Sequence, residues 1–151
     1  MTRARISDIV EAMQFQSDEI SAYLHRPTGK IVTVDSQAFH IAEEDGESDW
    51  LPPEAVQEAR EIAAGNKDYL ALPGKFEIDD YAIMKAFSSN RENSDERDQL
   101  LSAIRGAGAF RYFKDTIHRL GVADEWYAFK DKAYEEIARD WCEEHQITLE
   151  D

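Results

Sequence analysis

The chain has 151 residues, 42% of them apolar, with 17 Lys and Arg against 32 Asp and Glu for a net charge of −15. That length and apolar share suit a single globular domain over 1–151 with one core. No strictly apolar run exceeds four residues, as at 69–72, 81–84 and 126–129, which excludes a membrane span and a secretory leader. The charge disfavours nucleic acid and anionic lipid as partners of the whole surface, and the lone Cys142 excludes an internal disulfide and points to the cytosol.

Taken in order, the sequence ISDIVEAMQFQ predicts a short helix with Ser7 as its N-cap. Ile20, Ala22 and Leu24 then alternate with Ser21, Tyr23 and His25, Pro27-Thr28-Gly29 signals a turn, and Ile31–Val34 is β-branched. Period two on both sides of a turn predicts a hairpin, and two strands alone need helices or a further edge to be stable. Asp35 or Ser36 caps a helix through Phe39 and Ile41. The acidic stretch 42–55 reads as a solvated connection, Pro53 opens the next helix and Gly65 ends it.

The segment 68–79 reads as a loop with a Pro-Gly turn. Asp79 caps the following helix, with Ile78 stapled onto Ile83 and with Phe87 facing the core. Asp95 and Glu96 favour another helix start, running through Leu100, Leu101 and Ile104. Phe110, Phe113, Ile117 and Leu120 form an apolar stripe that Gly121 terminates, and Trp126, Phe129, Ala133, Ile137 and Trp141 form a second one. The expected fold class is α+β and mostly helical, with one N-terminal β-hairpin packed on a bundle of about six helices.

Charge is unevenly spread along this frame. Residues 100–122 carry a net +3, whereas 35–65 carry −8 and 123–151 carry −7. Within the basic segment, Gly106 suits a left-handed residue after one helix and Gly108 suits the start of the next. That next helix has no carboxylate in Ala109-Phe110-Arg111-Tyr112, and Arg111 is a cation near the positive end of a helix dipole. Arg105, Arg111, Lys114 and His118, with the amides following Gly106 and Gly108, therefore make a candidate anion site. In a chain with 32 carboxylates the expected anion is the protein's own, and a phosphate ligand is the alternative.

Other chemistry finds less support. His40 and Glu43, and Cys142 and His145, each stand three apart, but a zinc site needs three or four ligands, so no metal and no cofactor is expected. Glu143 and Glu144 beside Cys142 oppose a thiolate, and no nucleophile motif occurs, so no catalytic residue is assigned. Trp50 beside Pro52-Pro53 either staples the next helix or anchors a partner. With Glu43, Glu44 and Asp45 it makes a candidate partner-binding surface.

Four stretches carry a family resemblance: QSDEISAYLHRPTGKIVTV, LPGKFEIDDYAIM, AIRGAGAFRYFKDTIHRLG and EWYAFKDKAYEEIARDWCEEHQI. In order and spacing the chain resembles a bacterial group, uncharacterised protein family 0158, over nearly its full length. The resemblance implies a grouping and no activity. The family pattern places arginines where this chain has Ala107 and Tyr112, so this chain is less basic at that point. The reading from sequence is a non-enzymatic cytosolic binding or regulatory protein with an unidentified protein partner and no membrane. Its alternative is a module for a phosphate ligand or nucleic-acid end at the basic helix, and a metal-dependent hydrolase is a more distant third.

Overall fold

The computed structural model describes residues 2–44, 50–74 and 77–150. Among them lie seven helices and five strands, so the α+β, mostly helical class holds with one helix more than expected. The chain forms two compact units, residues 1–74 with 137–151 and residues 75–136.

In the first unit the hairpin forms as the alternation predicts. Strand β2 (Ile20–His25) pairs antiparallel with β3 (Lys30–Asp35), Ile20 opposite Asp35 and His25 opposite Lys30. A third strand, β4 (Tyr69–Ala71), adds to the other edge of β2, giving the order β3-β2-β4. The loop expected over 68–79 thus begins as a strand, too short for periodicity to reveal. At the other extreme of the chain, β1 (Arg3–Arg5) and β5 (Thr148–Glu150) form a parallel pair. The hairpin turn presses against β1: a Cβ on Gly29, at φ +72°, would lie 2.0 Å from the Arg3 carbonyl oxygen. No other residue fits that approach.

Both faces of the sheet are used. Ala22 and Leu24 are buried on the face that carries Ile31 and Thr33, where helix α1 (Ile6–Phe15) brings Ala12 alongside. On the opposite face Val34 is buried with Ala38 of α2 (Ser36–Glu43) and Ala59 of α3 (Pro53–Ala63), flanked by Tyr23, Phe39 and Leu51. Small alanines at these contacts let helix and strand approach closely. Asp35 caps α2, accepting from the Gln37 amide at 2.8 Å, and Pro53 takes the first position of α3. Ser7 is no cap: α1 begins at Ile6, after Arg5, and has no side-chain cap.

The second unit is built from helices. Asp79 caps α4 (Asp80–Ser89) by accepting from the Ala82 amide at 3.0 Å. Asp95 and Glu96 stand in the first turn of α5 (Ser94–Ala103) as expected, and Asn93 caps it, accepting from both of their amides. Helix α6 (Ala109–Leu120) ends at Gly121 as predicted, and α7 (Ala123–Glu144) gives its residues up to Glu136 to this unit and the remainder to the first. The core here is aromatic. Phe113 meets Trp126 edge to face at 4.8 Å between centroids, and Phe87 meets Trp126 and Phe129 at 5.4 Å each. Such edge-to-face pairs add about 0.5–1.5 kcal/mol each beyond area burial.

Two stripe assignments change. Phe110, expected in the core, is 58% exposed. On α7 the buried positions are Trp126, Tyr134, Ala138, Trp141 and Cys142, while Phe129, Ala133 and Ile137 are half-buried. Tyr134 had no place in the apolar pattern because it carries a hydroxyl. That hydroxyl donates to Asp80 Oδ1 at 2.5 Å, which satisfies the buried polar atom.

Candidate functional site

The start of α6 begins with its glycines. Gly108, at φ +78° and ψ 21°, is the N-cap and offers no side-chain acceptor. It carries the left-handed conformation that the sequence suggested for Gly106, since α5 already closes at Ile104. A Cβ on Gly108 would meet the Tyr112 ring at 3.2 Å. The Tyr112 ring therefore lies back over the turn that precedes its own helix.

At about 100° per residue, Arg111, Lys114 and His118 fall within roughly 60° of one another on α6, opposite the buried Ala109, Phe113, Thr116 and Ile117. All three are exposed, as are Arg105, Gly106 and Gly108. Among the described residues none of Arg105, Arg111, Lys114 and His118 forms an ion pair, so no described carboxylate is the internal partner expected for them. Arg111 lies beside its own neighbour: Cζ stands 5.9 Å from the Tyr112 ring centroid, at the outer range of cation–π attraction. Asp115 lies about 40° from Arg111 on the same helix and remains exposed and unpaired among the described residues.

The six predicted residues do not share one concavity. Gly106 borders a shallow depression with Ala107, Tyr112, Thr116 and Arg119, where the Arg119 guanidinium donates to Gln99 at 2.6 Å. Lys114 borders a different and narrower cleft of about 250 Å³ on the other side of α6. Phe110, Phe113 and Ile117 form its α6 wall, Trp126, Tyr127 and Lys130 its α7 wall, and Asp80 and Met84 of α4 close it. Phe110 and Tyr127 are 58% and 44% exposed.

Sequence reasoning missed Phe110 as a surface residue, and missed Tyr127 and Lys130 altogether. Phe110 sits in the first turn at the margin of the stripe. Tyr127 and Lys130, three apart on α7, were legible only as neighbours of the Trp126 stripe. Asp80, on the cleft wall, holds the hydroxyl of the buried Tyr134. Burial first, and the adjacent carboxylate second, push its ionisation well above the usual phenol range. The Lys130 ammonium lies 5.4 Å from the Tyr134 ring centroid.

The other candidates fall apart in space or in chemistry. Cys142 is buried, and burial pushes its thiol up to about 11, so it is a thiol and not a nucleophile at neutral pH. His145 lies against Trp141, centroids 5.3 Å apart, and His40 is exposed. Among the described residues no group of three or more His, Cys, Asp or Glu stands close enough to hold a metal ion, and no helix is long and apolar enough to cross a membrane. Trp50 is 65% exposed, with Glu43 and Glu44 also exposed, while Asp45 lies outside the described residues. Leu51, not Trp50, packs on the Val34–Ala38–Ala59 cluster in the position of a staple.

The sequence matches the model of an uncharacterised protein family, UPF0158, over residues 2–150. No curated protein and no solved structure matches it.

Proposed function

Because the chain belongs to the uncharacterised protein family UPF0158, a grouping that names no activity, we propose its function from geometry: it is a non-enzymatic cytosolic protein that binds a macromolecular partner through the opening of α6. One observation carries this reading. Phe110 and Tyr112, 58% and 52% exposed, alternate with Arg111 and Lys114, and no described carboxylate neutralises these cations. Exposed aromatics next to arginine are the side chains most enriched in binding hot spots. Burial of Tyr134 and Cys142, which raises the ionisation of both, fits structural roles for the two side chains.

The test is affinity capture from a cell lysate at two salt concentrations. The unchanged chain retains a defined partner, Arg111→Glu with Lys114→Glu loses it, and Glu43→Gln, Glu44→Gln with Trp50→Ala keeps it. If only the latter variant loses the partner, the Trp50 surface with Glu43, Glu44 and Asp45 is the binding face instead. Background proteins alone under both conditions overturn a macromolecular role.

A second reading has its own support. The first amides of α6 have no side-chain cap and no carboxylate in the first turn, which suits a phosphate group. Isothermal titration with inorganic phosphate and a nucleoside monophosphate in low salt tests it. Heat with the unchanged chain that is abolished in Arg111→Glu supports it, and no heat in either overturns it.

A further inference from the structure

We infer that the 250 Å³ cleft between α4, α6 and α7 seats one bulky apolar side chain of an acidic peptide segment. This deepens the proposed binding face and rests on it. The cleft's size comes first. Sites for drug-sized ligands begin near about 300 Å³, so this one suits a single ring or branched aliphatic group. Its floor is apolar and firm: Met84, Phe113 and Ile117 are each at most 2% exposed. Phe110 and Tyr127 stand at the rim, both exposed, although each could have been polar without disturbing the aromatic core. A buried pocket ringed by aromatic side chains is the usual seat of an anchor residue in a protein interface.

Charge then selects the anchor's neighbours. Lys114 and Lys130 border the cleft and neither forms an ion pair with a described residue. The one carboxylate on the cleft, Asp80, already accepts from the Tyr134 hydroxyl at 2.5 Å. Asp80 keeps its charge in that bond, so the cleft lining carries two ammonium groups against one carboxylate and is net positive, inside a chain of net charge −15. A short acidic segment places its carboxylates within one Debye length, about 10 Å at 0.1 M salt, of these ammonium groups. A long polyanion such as single-stranded nucleic acid carries far more charge than these two ammonium groups offset, and a chain of net charge −15 repels it. The occupant favoured is thus a peptide with Asp or Glu on both sides of a Phe, Leu or Trp.

Fluorescence anisotropy of a labelled synthetic peptide, Glu and Asp flanking a single Phe, measures this with the full chain. In 20 mM salt the peptide binds, and an otherwise identical peptide with Ala for Phe binds about tenfold more weakly or less. Phe110→Ala and Lys114→Glu each weaken the Phe peptide about tenfold, Lys114→Arg restores it, and raised salt weakens it. Unfolding curves matching the unchanged chain confirm that both variants fold. Equal affinity for the Phe and Ala peptides overturns the cleft, and if Lys114→Glu weakens both alike the broader cationic face still stands. Binding of oligothymidylate but not peptide overturns the peptide occupant. Binding of neither overturns the inference, while lysate capture separately decides the face.

Discussion

Two arginines of the second unit occupy opposite electrostatic situations. Arg91, in the turn before α5, donates to Glu96 at 3.0 Å and to Glu125 at 2.5 Å, and lies over the Phe87 ring at 5.2 Å. The helix it precedes is capped by Asn93 and begins with Asp95 and Glu96 at the positive end of its dipole. Arg111 stands inside the first turn of α6, which begins at a glycine, contains no carboxylate and presents no anion to it among the described residues. The first arrangement is locally self-sufficient. The second is not, so α6 depends on what its other face buries, and its exposed face is left available. A helix start that local chemistry neglects needs tertiary packing, or a partner, to make up the difference.

The largest effect expected comes from removing that packing. Phe113 is 2% exposed at the centre of the aromatic cluster, and Phe113→Ala should destabilise by about 3–5 kcal/mol. Chemical denaturation with helicity as the signal checks this, and a loss under about 1 kcal/mol would mean α6 is held elsewhere.

Next comes the Tyr134–Asp80 bond. Tyr134→Phe removes the donor to the half-buried Asp80 and should cost about 1 kcal/mol at pH 7. The sign of its pH dependence follows from the raised phenol. The native state favours neutral Tyr134, so its contribution is complete below the ordinary phenol value of about 10 and declines as pH climbs past it. Cys142, raised to about 11, acts in the same direction but begins earlier, from the ordinary thiol value of about 9. Unfolding measured from pH 8 to 11 should show a decline that is shallower in Tyr134→Phe.

The comparison of helix starts sharpens with a pair of substitutions. Asn93→Ala removes the acceptor for two amides and should cost about 1 kcal/mol. Gly108→Ala places a Cβ on a left-handed residue and against Tyr112, and should cost about 1–2 kcal/mol, with Gly108→Asn costing less. Equal tolerance of Ala and Asn at 108 would show that the left-handed turn is not held in solution.

The smallest effect has the opposite sign. Arg111→Glu replaces a cation by an anion at the positive end of α6 and should stabilise by a few tenths of a kcal/mol. The same variant should lose partner capture. A gain in stability with a loss of binding is the mark of a residue placed for a partner, and a loss of both would assign Arg111 a structural role.

Much of this arrangement was legible in the residues. The turn at Pro27-Thr28-Gly29, the caps at Asp35 and Asp79, the start at Pro53 and the stop at Gly121 are fixed by chemistry within a few residues of themselves, and each stands where the sequence puts it. Strand β4, three residues long, has too few residues to show a period and exists because the β2 edge is there to pair with. Phe110 shares the stripe's spacing with Phe113 and Ile117, yet being in the first turn it reaches the rim and not the core.

The sequence by itself determined the class of the fold, the hairpin, the helix ends set by Asp35, Pro53, Asp79 and Gly121, and the concentration of positive charge in residues 100–122. These depend on propensity, capping and composition, which act over a few residues. Only the tertiary structure decided that no described carboxylate reaches Arg111, that Tyr134 is clamped by Asp80 from 54 positions away, and that Lys114 and Lys130 border one aromatic cleft. Those outcomes depend on which helix faces meet, and spacing along one helix carries no information about the helix opposite.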